Sequence, residues 1–91
     1  MLVGLFFTLK SKNMIVTVYA LKNKINDEIY VGISTDPERR LKEHNSGKNR
    51  YTKAFKPWSI FYTEQCEGFE AARKREIYFK SAAGKRKLKN M

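Results

Sequence analysis

The sequence predicts an α/β chain of the α+β kind, ordered β-β-α-β-α, with a central three-stranded, mostly antiparallel sheet flanked by helices. Three observations predict it. β-Branched and aromatic runs stand at residues 15–21, 28–33 and 58–63. A short polar link joins the first two runs, as antiparallel neighbours require. Helix-start chemistry follows the second run, and an apolar stripe at helical spacing follows the third. At 91 residues the chain has room for one domain and one modest core.

Each element has a local cause. Ile15 to Leu21 is β-branched and aromatic, so it favours a pleated strand. Lys22 to Asp27 carries two Asn and one Asp, residues whose side chains satisfy turn backbone. Glu28 to Ile33 forms the second strand. Asp36 suits a helix N-cap and Pro37 the first helical position, where no N–H is missed. That helix is expected to reach Asn45 and to stop at Gly47. Residues 48–57 read as a basic loop with interleaved aromatics. Trp58 to Thr63 is the third strand. The second helix is expected from Phe69 to Ala82, with Phe69, Ala72, Phe79 and Ala83 on its sheet-facing stripe. Gly84 is expected to break it, and a short basic tail from Lys85 to Met91 closes the chain.

The net charge is +10, and it is unevenly spread. Residues 1–47 hold 7 Lys/Arg against 5 Asp/Glu, whereas residues 48–91 hold 12 against 4. An excess confined to one half points to a polyanionic partner, because each neutralised phosphate releases a condensed counterion. Plain solubility and an anionic membrane surface are the competing readings. The single Cys66 excludes an intramolecular disulfide and a thiolate zinc site, and suits a reducing, cytoplasmic setting. The apolar run from Leu2 to Leu9 is too short to span a bilayer and lacks the flanks of a signal peptide. Residues 1–13 are therefore read as an N-terminal appendage or an over-long start, and residues 14–91 as the domain. Surface anchoring through Leu2 to Leu9 is a third, weaker functional reading.

Five side chains stand out. Glu76 falls inside the apolar stripe of the second helix. A carboxylate aimed inward must be paired, neutralised or bound to metal, and a neighbouring Arg or Lys would serve as well as an ion. Arg40 and His44 are four apart and share a helix face, either toward the body or toward solvent. Arg40 can fork its donors onto a phosphate, and His44 can give a proton to a leaving oxygen or hold the phosphate. Tyr19 and Tyr30 point away from their apolar strand neighbours, as ordinary strand aromatics also do. Gly32 faces the same way as Tyr30 and is expected to leave open space beside it.

Thr17-Val18-Tyr19 followed by Tyr30-Val31-Gly32 resembles the paired elements of the GIY-YIG nucleases. Arg40, His44 and Glu76 fall in order where that family carries its helix arginine, a histidine one turn later, and its metal-binding glutamate. The resemblance runs from about Met14 to Leu88, and the chain looks like the small bacterial stand-alone members. Larger relatives include homing endonucleases and the incision subunit of bacterial nucleotide-excision repair. The resemblance implies a GIY-YIG-type fold and a metal-dependent endonuclease with Mg²⁺ (or Mn²⁺) on Glu76. DNA is the expected partner, cut with little sequence specificity in repair or recombination; no membrane and no organic cofactor are expected. A nucleic-acid-binding module with weak or lost cleavage is the alternative. Tyr19, Tyr30, Arg40, His44 and Glu76 become the expected catalytic set, with Tyr19 beside the attacking water. Lys48, Arg50, Tyr51, Lys53, Lys56, Lys85, Arg86 and Lys87 are the expected nucleic-acid contacts, and Tyr51 and Phe55 either stack on bases or pack under the loop. The chain departs from the pattern at Thr17, where the family has its first glycine, and at Ile33, where some members have Lys. Other members place an Asn after the glutamate; Asn90 is the only Asn downstream here and is carried over on that ground.

Overall fold

A computed structural model describes residues 14–91, so the N-terminal appendage and its membrane reading lie outside the described residues. Strand β1 (Ile15–Asn23) is the middle strand, between β2 (Ile29–Ser34) and β3 (Trp58–Glu67), and both pairings are antiparallel. The sheet is thus antiparallel throughout rather than mostly so. The hairpin joining β1 to β2 is held by its asparagines. Asn23 Oδ1 accepts from Ile25 N at 2.7 Å and Asn26 N at 2.8 Å, and Asn26 Oδ1 accepts from Glu28 N at 3.0 Å.

Helix α1 (Pro37–Ser46) starts as its sequence dictates, with the Asp36 side chain accepting from Arg39 N. It ends where Gly47 takes φ 89°, a left-handed backbone that glycine adopts without a Cβ clash. The segment expected as a loop contains one helical turn, α2 (Arg50–Lys53), nucleated by the Asn49 side chain, which accepts from Tyr51 N and Thr52 N. Asn45 then pins the start of β3, exchanging two hydrogen bonds with the Trp58 backbone at 2.6 and 3.0 Å.

Helix α3 (Gly68–Lys80) is followed at once by α4 (Ala82–Lys89). The break falls at Ser81, not at Gly84. Ser81 turns extended and its hydroxyl caps α4 by accepting from Gly84 N. Gly84 is instead a contact residue. A Cβ there would lie on the Tyr78 carbonyl oxygen and 2.5 Å from Phe79 Cα. The buried stripe of α3 is Ala72, Glu76 and Phe79, while Phe69 is 53% exposed and Ala83 is also exposed. Leu88 of α4 takes the inward place that Ala83 was expected to fill.

Period-two alternation along β1 sorts the core into two layers. Val16, Val18 and Ala20 meet Ala72, Phe79 and Leu88 of α3 and α4 on one face. Tyr19 and Leu21 meet Trp58, Leu41 and Phe55 on the other, beneath α1 and α2. Arg75 fastens α3 to the sheet by gripping both oxygens of Glu64, and its guanidinium lies 5.0 and 4.9 Å from the Tyr78 and Phe79 ring centres. Cys66 packs half-buried against the first layer and burial pushes its thiol pKa up, the behaviour of a small hydrophobe.

One stability prediction follows from α4. Gly84→Ala forces the α3–α4 junction apart and should cost about 1–3 kcal/mol, the usual range for overpacking. Urea unfolding of both proteins measures it; an unchanged midpoint would show that the junction yields freely.

Candidate active site

Three of the five expected side chains, Tyr19, Tyr30 and His44, cluster together, with Arg40 close enough to act on Tyr19 through its charge. Tyr19 stands at the centre of β1, opposite Gly32 of β2. Its phenol folds over that glycine, where a Cβ would lie 2.6 Å from Oη and 2.7 Å from Cζ. The space expected beside Gly32 is therefore filled, and by the other tyrosine. Close approach of another group, the reason a strand glycine was notable, is what the backbone provides.

His44 is buried, although it sits on a helix whose face was open to either reading. Its Nε2 lies 3.2 Å from Tyr19 Oη, and its Nδ1 lies 2.9 Å from Thr52 Oγ1. The Tyr30 ring meets the imidazole edge-on at 4.6 Å between centres. Burial, then the Arg40 charge, pushes the His44 pKa below its ordinary value, with Glu43 pulling the other way. Arg40 is half-buried, pairs with Glu43 at 2.6 Å, and its charge acts on the Tyr19 phenol. The Tyr19 pKa is nevertheless raised, because burial outweighs the pull of Arg40.

Glu76 joins this group through charge rather than contact. It is 6% exposed, and its carboxylate adds to the upward push on Tyr19. Its oxygens are met by Arg73 at 3.2 Å and Lys80 at 3.1 Å, as the ion-pair reading expects. Both partners are more than half exposed at the side chain, so each can turn into solvent. Among the described residues no group of three or more His, Cys, Asp or Glu could hold a metal. One hard carboxylate fits a cation that keeps most of its water, such as Mg²⁺, and does not fit a fully protein-bound ion.

The expected nucleic-acid contacts divide. Tyr51 and Lys85 come together with Lys80 around a cavity of about 270 Å³ bordered by Ile29, Tyr30 and Val31. Tyr51 is half exposed, its hydroxyl held 3.3 Å from Glu28, and its ring is 6.3 Å from those of Tyr30 and Phe55. Phe55 packs under the segment, against the second core layer. Lys48, Arg50, Lys53 and Lys56 are exposed on and around α2, and Arg86 and Lys87 are exposed on α4. None of these six, nor Lys85, makes an ion pair among the described residues. Asn90 stands apart. It is exposed at the end of α4, and its neighbours Lys89 and Met91 line a separate cavity of about 390 Å³ beside the β1–β2 hairpin.

Sequence reasoning missed Thr52 and Glu43. Thr52 is 0% exposed within a stretch read as a basic loop. The signal that could have found it is Asn49, an N-cap three residues earlier that predicts a helical turn. Glu43 sits three residues from Arg40, a spacing that predicts its ion pair.

Comparison with known proteins agrees with the residues. The family model described as "GIY-YIG catalytic domain" matches residues 15–90. A UPF0213 protein of Staphylococcus haemolyticus is 37% identical over 73 residues, 79% of this chain and 88% of that protein. A UPF0213 protein of Enterococcus faecalis is 44% identical over 61 residues, 64% of this chain and 69% of that protein. One of Bacillus velezensis is 36% identical over 63 residues, covering 68% and 64%. No solved structure matches the chain significantly. No helix among the described residues is long and apolar enough to cross a membrane. With its antiparallel sheet, flanking helices and ordered tyrosine, arginine, histidine and glutamate, the chain belongs to the GIY-YIG nuclease family.

Proposed function

We infer that this chain is a divalent-metal-dependent endonuclease that hydrolyses phosphodiester bonds in DNA with little sequence specificity. The observation that carries the reading is the cluster of Tyr19, Tyr30 and His44, with Arg40 and Glu76, the one buried carboxylate among the described residues, within electrostatic range. Glu76 would hold Mg²⁺ or Mn²⁺ with several waters, and such an ion polarises the phosphate and steadies the leaving oxygen.

The chain's own residues do the rest. Tyr19 is 1% exposed, and the Arg40 charge acts on its phenol. A phosphate draws Arg40 outward, where its guanidinium steadies charge growing on the non-bridging oxygens. That movement uncovers the phenol oxygen for the attacking water. Tyr30 braces the imidazole from the side. Lys48, Arg50, Lys53, Lys56, Lys85, Arg86 and Lys87 would take backbone phosphates, and Tyr51 a base face; such contacts position the nucleic acid without reading its sequence. Repair or recombination in the cytoplasm is the setting such an activity suits.

A second reading, a binding module with weak or lost cleavage, draws on the Arg73 and Lys80 pairs that already engage Glu76. A panel of duplex, branched and single-stranded DNA plus RNA separates the two. The nuclease reading expects nicking of DNA with Mg²⁺ or Mn²⁺ and none with chelator. Salt-sensitive binding without turnover under any divalent metal would replace it with the second reading.

A further inference from the structure

We propose that Tyr19 and His44 form a proton relay in which His44 is the final acceptor, and that Thr52, buried behind the imidazole, sets its direction. The proposal rests on the nuclease reading and names the group that takes the proton of the attacking water.

A threonine hydroxyl carries one proton. The Asn49 carbonyl oxygen, 3.5 Å from Thr52 Oγ1, can only accept that proton; with the hydroxyl turned to it, Oγ1 accepts from His44 Nδ1, 2.9 Å away. His44 then carries its proton on Nδ1 and turns the bare lone pair of Nε2 to Tyr19 Oη at 3.2 Å. The other end of the chain agrees. A guanidinium only donates, so the Arg40 charge near the phenol cannot take the phenol's proton, and Nε2 at 3.2 Å is the acceptor it meets. Every link then runs one way, from Tyr19 through His44 and Thr52 to the Asn49 carbonyl. Thr52 is 0% and His44 1% exposed, so water does not stand in for the threonine. The backbone of Thr52 is itself held, its carbonyl accepting from Trp58 Nε1 at 2.8 Å.

The relay balances. When a water reaches the phenol oxygen, a lone pair there accepts its proton as the old Oη–H bond breaks and an Nε2–H bond forms. The electron pair of the broken water O–H bond stays on the hydroxide oxygen, which forms the new bond to phosphorus as the bond from phosphorus to the leaving oxygen breaks; that oxygen keeps the bonding pair and takes a proton from solvent. The tyrosine ends as it began, a neutral phenol. Free phenolate, expensive near neutral pH for a group that titrates near about 10, is not needed. The two pKa directions fit this division of labour: burial keeps Tyr19 protonated as a conduit and keeps His44 neutral as an acceptor. Arg40 and Glu43 face His44 from its own helix, Tyr19 from β1, Tyr30 from β2, and from α2 the uncharged Thr52.

His44 is the only histidine, so its ring nitrogens are read without assignment by long-range ¹⁵N–¹H NMR on the resting, full-length protein. The relay predicts the Nδ1–H tautomer in the wild type and in Thr52→Ser. Thr52→Val should lose that single tautomer and cleave about tenfold more slowly, the scale of one hydrogen bond, with Thr52→Ser restoring the rate. The wild-type rate should fall as pH drops through a value below the usual histidine 6.5 and stay level above it. An Nε2–H wild type, an unchanged tautomer in Thr52→Val, or a rate climbing toward the phenol range each overturns the relay. A chain that cuts DNA but carries Nε2–H defeats the relay alone. One that holds Nδ1–H yet cuts nothing defeats the nuclease reading and the relay with it.

Discussion

Glu76→Gln should abolish cleavage and leave the fold in place. Glutamine keeps the volume of the side chain and removes its charge, so the buried stripe of α3 still packs. The ion loses the one carboxylate proposed to hold it, and no second acidic cluster among the described residues replaces it. Losing the metal's contribution should lower the rate by at least about 10³-fold, or roughly 4 kcal/mol of barrier. Stability should move by less than about 1 kcal/mol, because Arg73 and Lys80 are largely solvated and such pairs contribute little. Cleavage rates and urea unfolding, measured side by side, separate the two effects. Activity that survives in the glutamine variant removes Glu76 from the chemistry.

Gly32→Ala should be nearly as damaging, although glycine has no functional group. Its added methyl would lie 2.6 Å from Tyr19 Oη, a separation real contacts do not show, so the phenol must move. The 3.2 Å link to His44 Nε2 goes with it. Displacement of a reacting group by about 1 Å can cost on the order of 10²-fold in rate. Overpacking should cost about 1–3 kcal/mol, and alanine's better fit to a strand offsets part of it. A variant that stays folded and cuts at the wild-type rate would show that Tyr19's position does not matter.

The order of elements was legible because its causes are local. Asp36 and Pro37 start α1, Gly47 ends it, and period-two alternation places Tyr19 and Tyr30 on one face. The junction after α3 was not legible, since glycine breaks helices in general and only the fold reveals that Gly84 is needed for close approach. Phe69 and Ala83 fit the helical period yet stay exposed: Phe69 stands in the first turn of α3, and Ala83 lies past the break at Ser81, on α4. The order of Tyr19, Tyr30, Arg40, His44 and Glu76 along the chain was enough to nominate them as candidates. Their roles toward one another were not. Burial of His44, its grip on Thr52 and the pairing of Arg40 with Glu43 depend on α2, a single turn hidden in a charged segment.

The central claim is that folding gathers Tyr19, Tyr30, Arg40, His44 and Glu76 about one phosphate and one hydrated cation. Titration with Mn²⁺, whose unpaired electrons broaden nearby NMR signals, tests this without any substrate. The account predicts selective broadening of Glu76 and, more weakly, of Tyr19, Arg40 and His44, lost in Glu76→Gln. Broadening centred elsewhere, such as at Asp27 and Glu28, or unchanged by the glutamine variant, would contradict it.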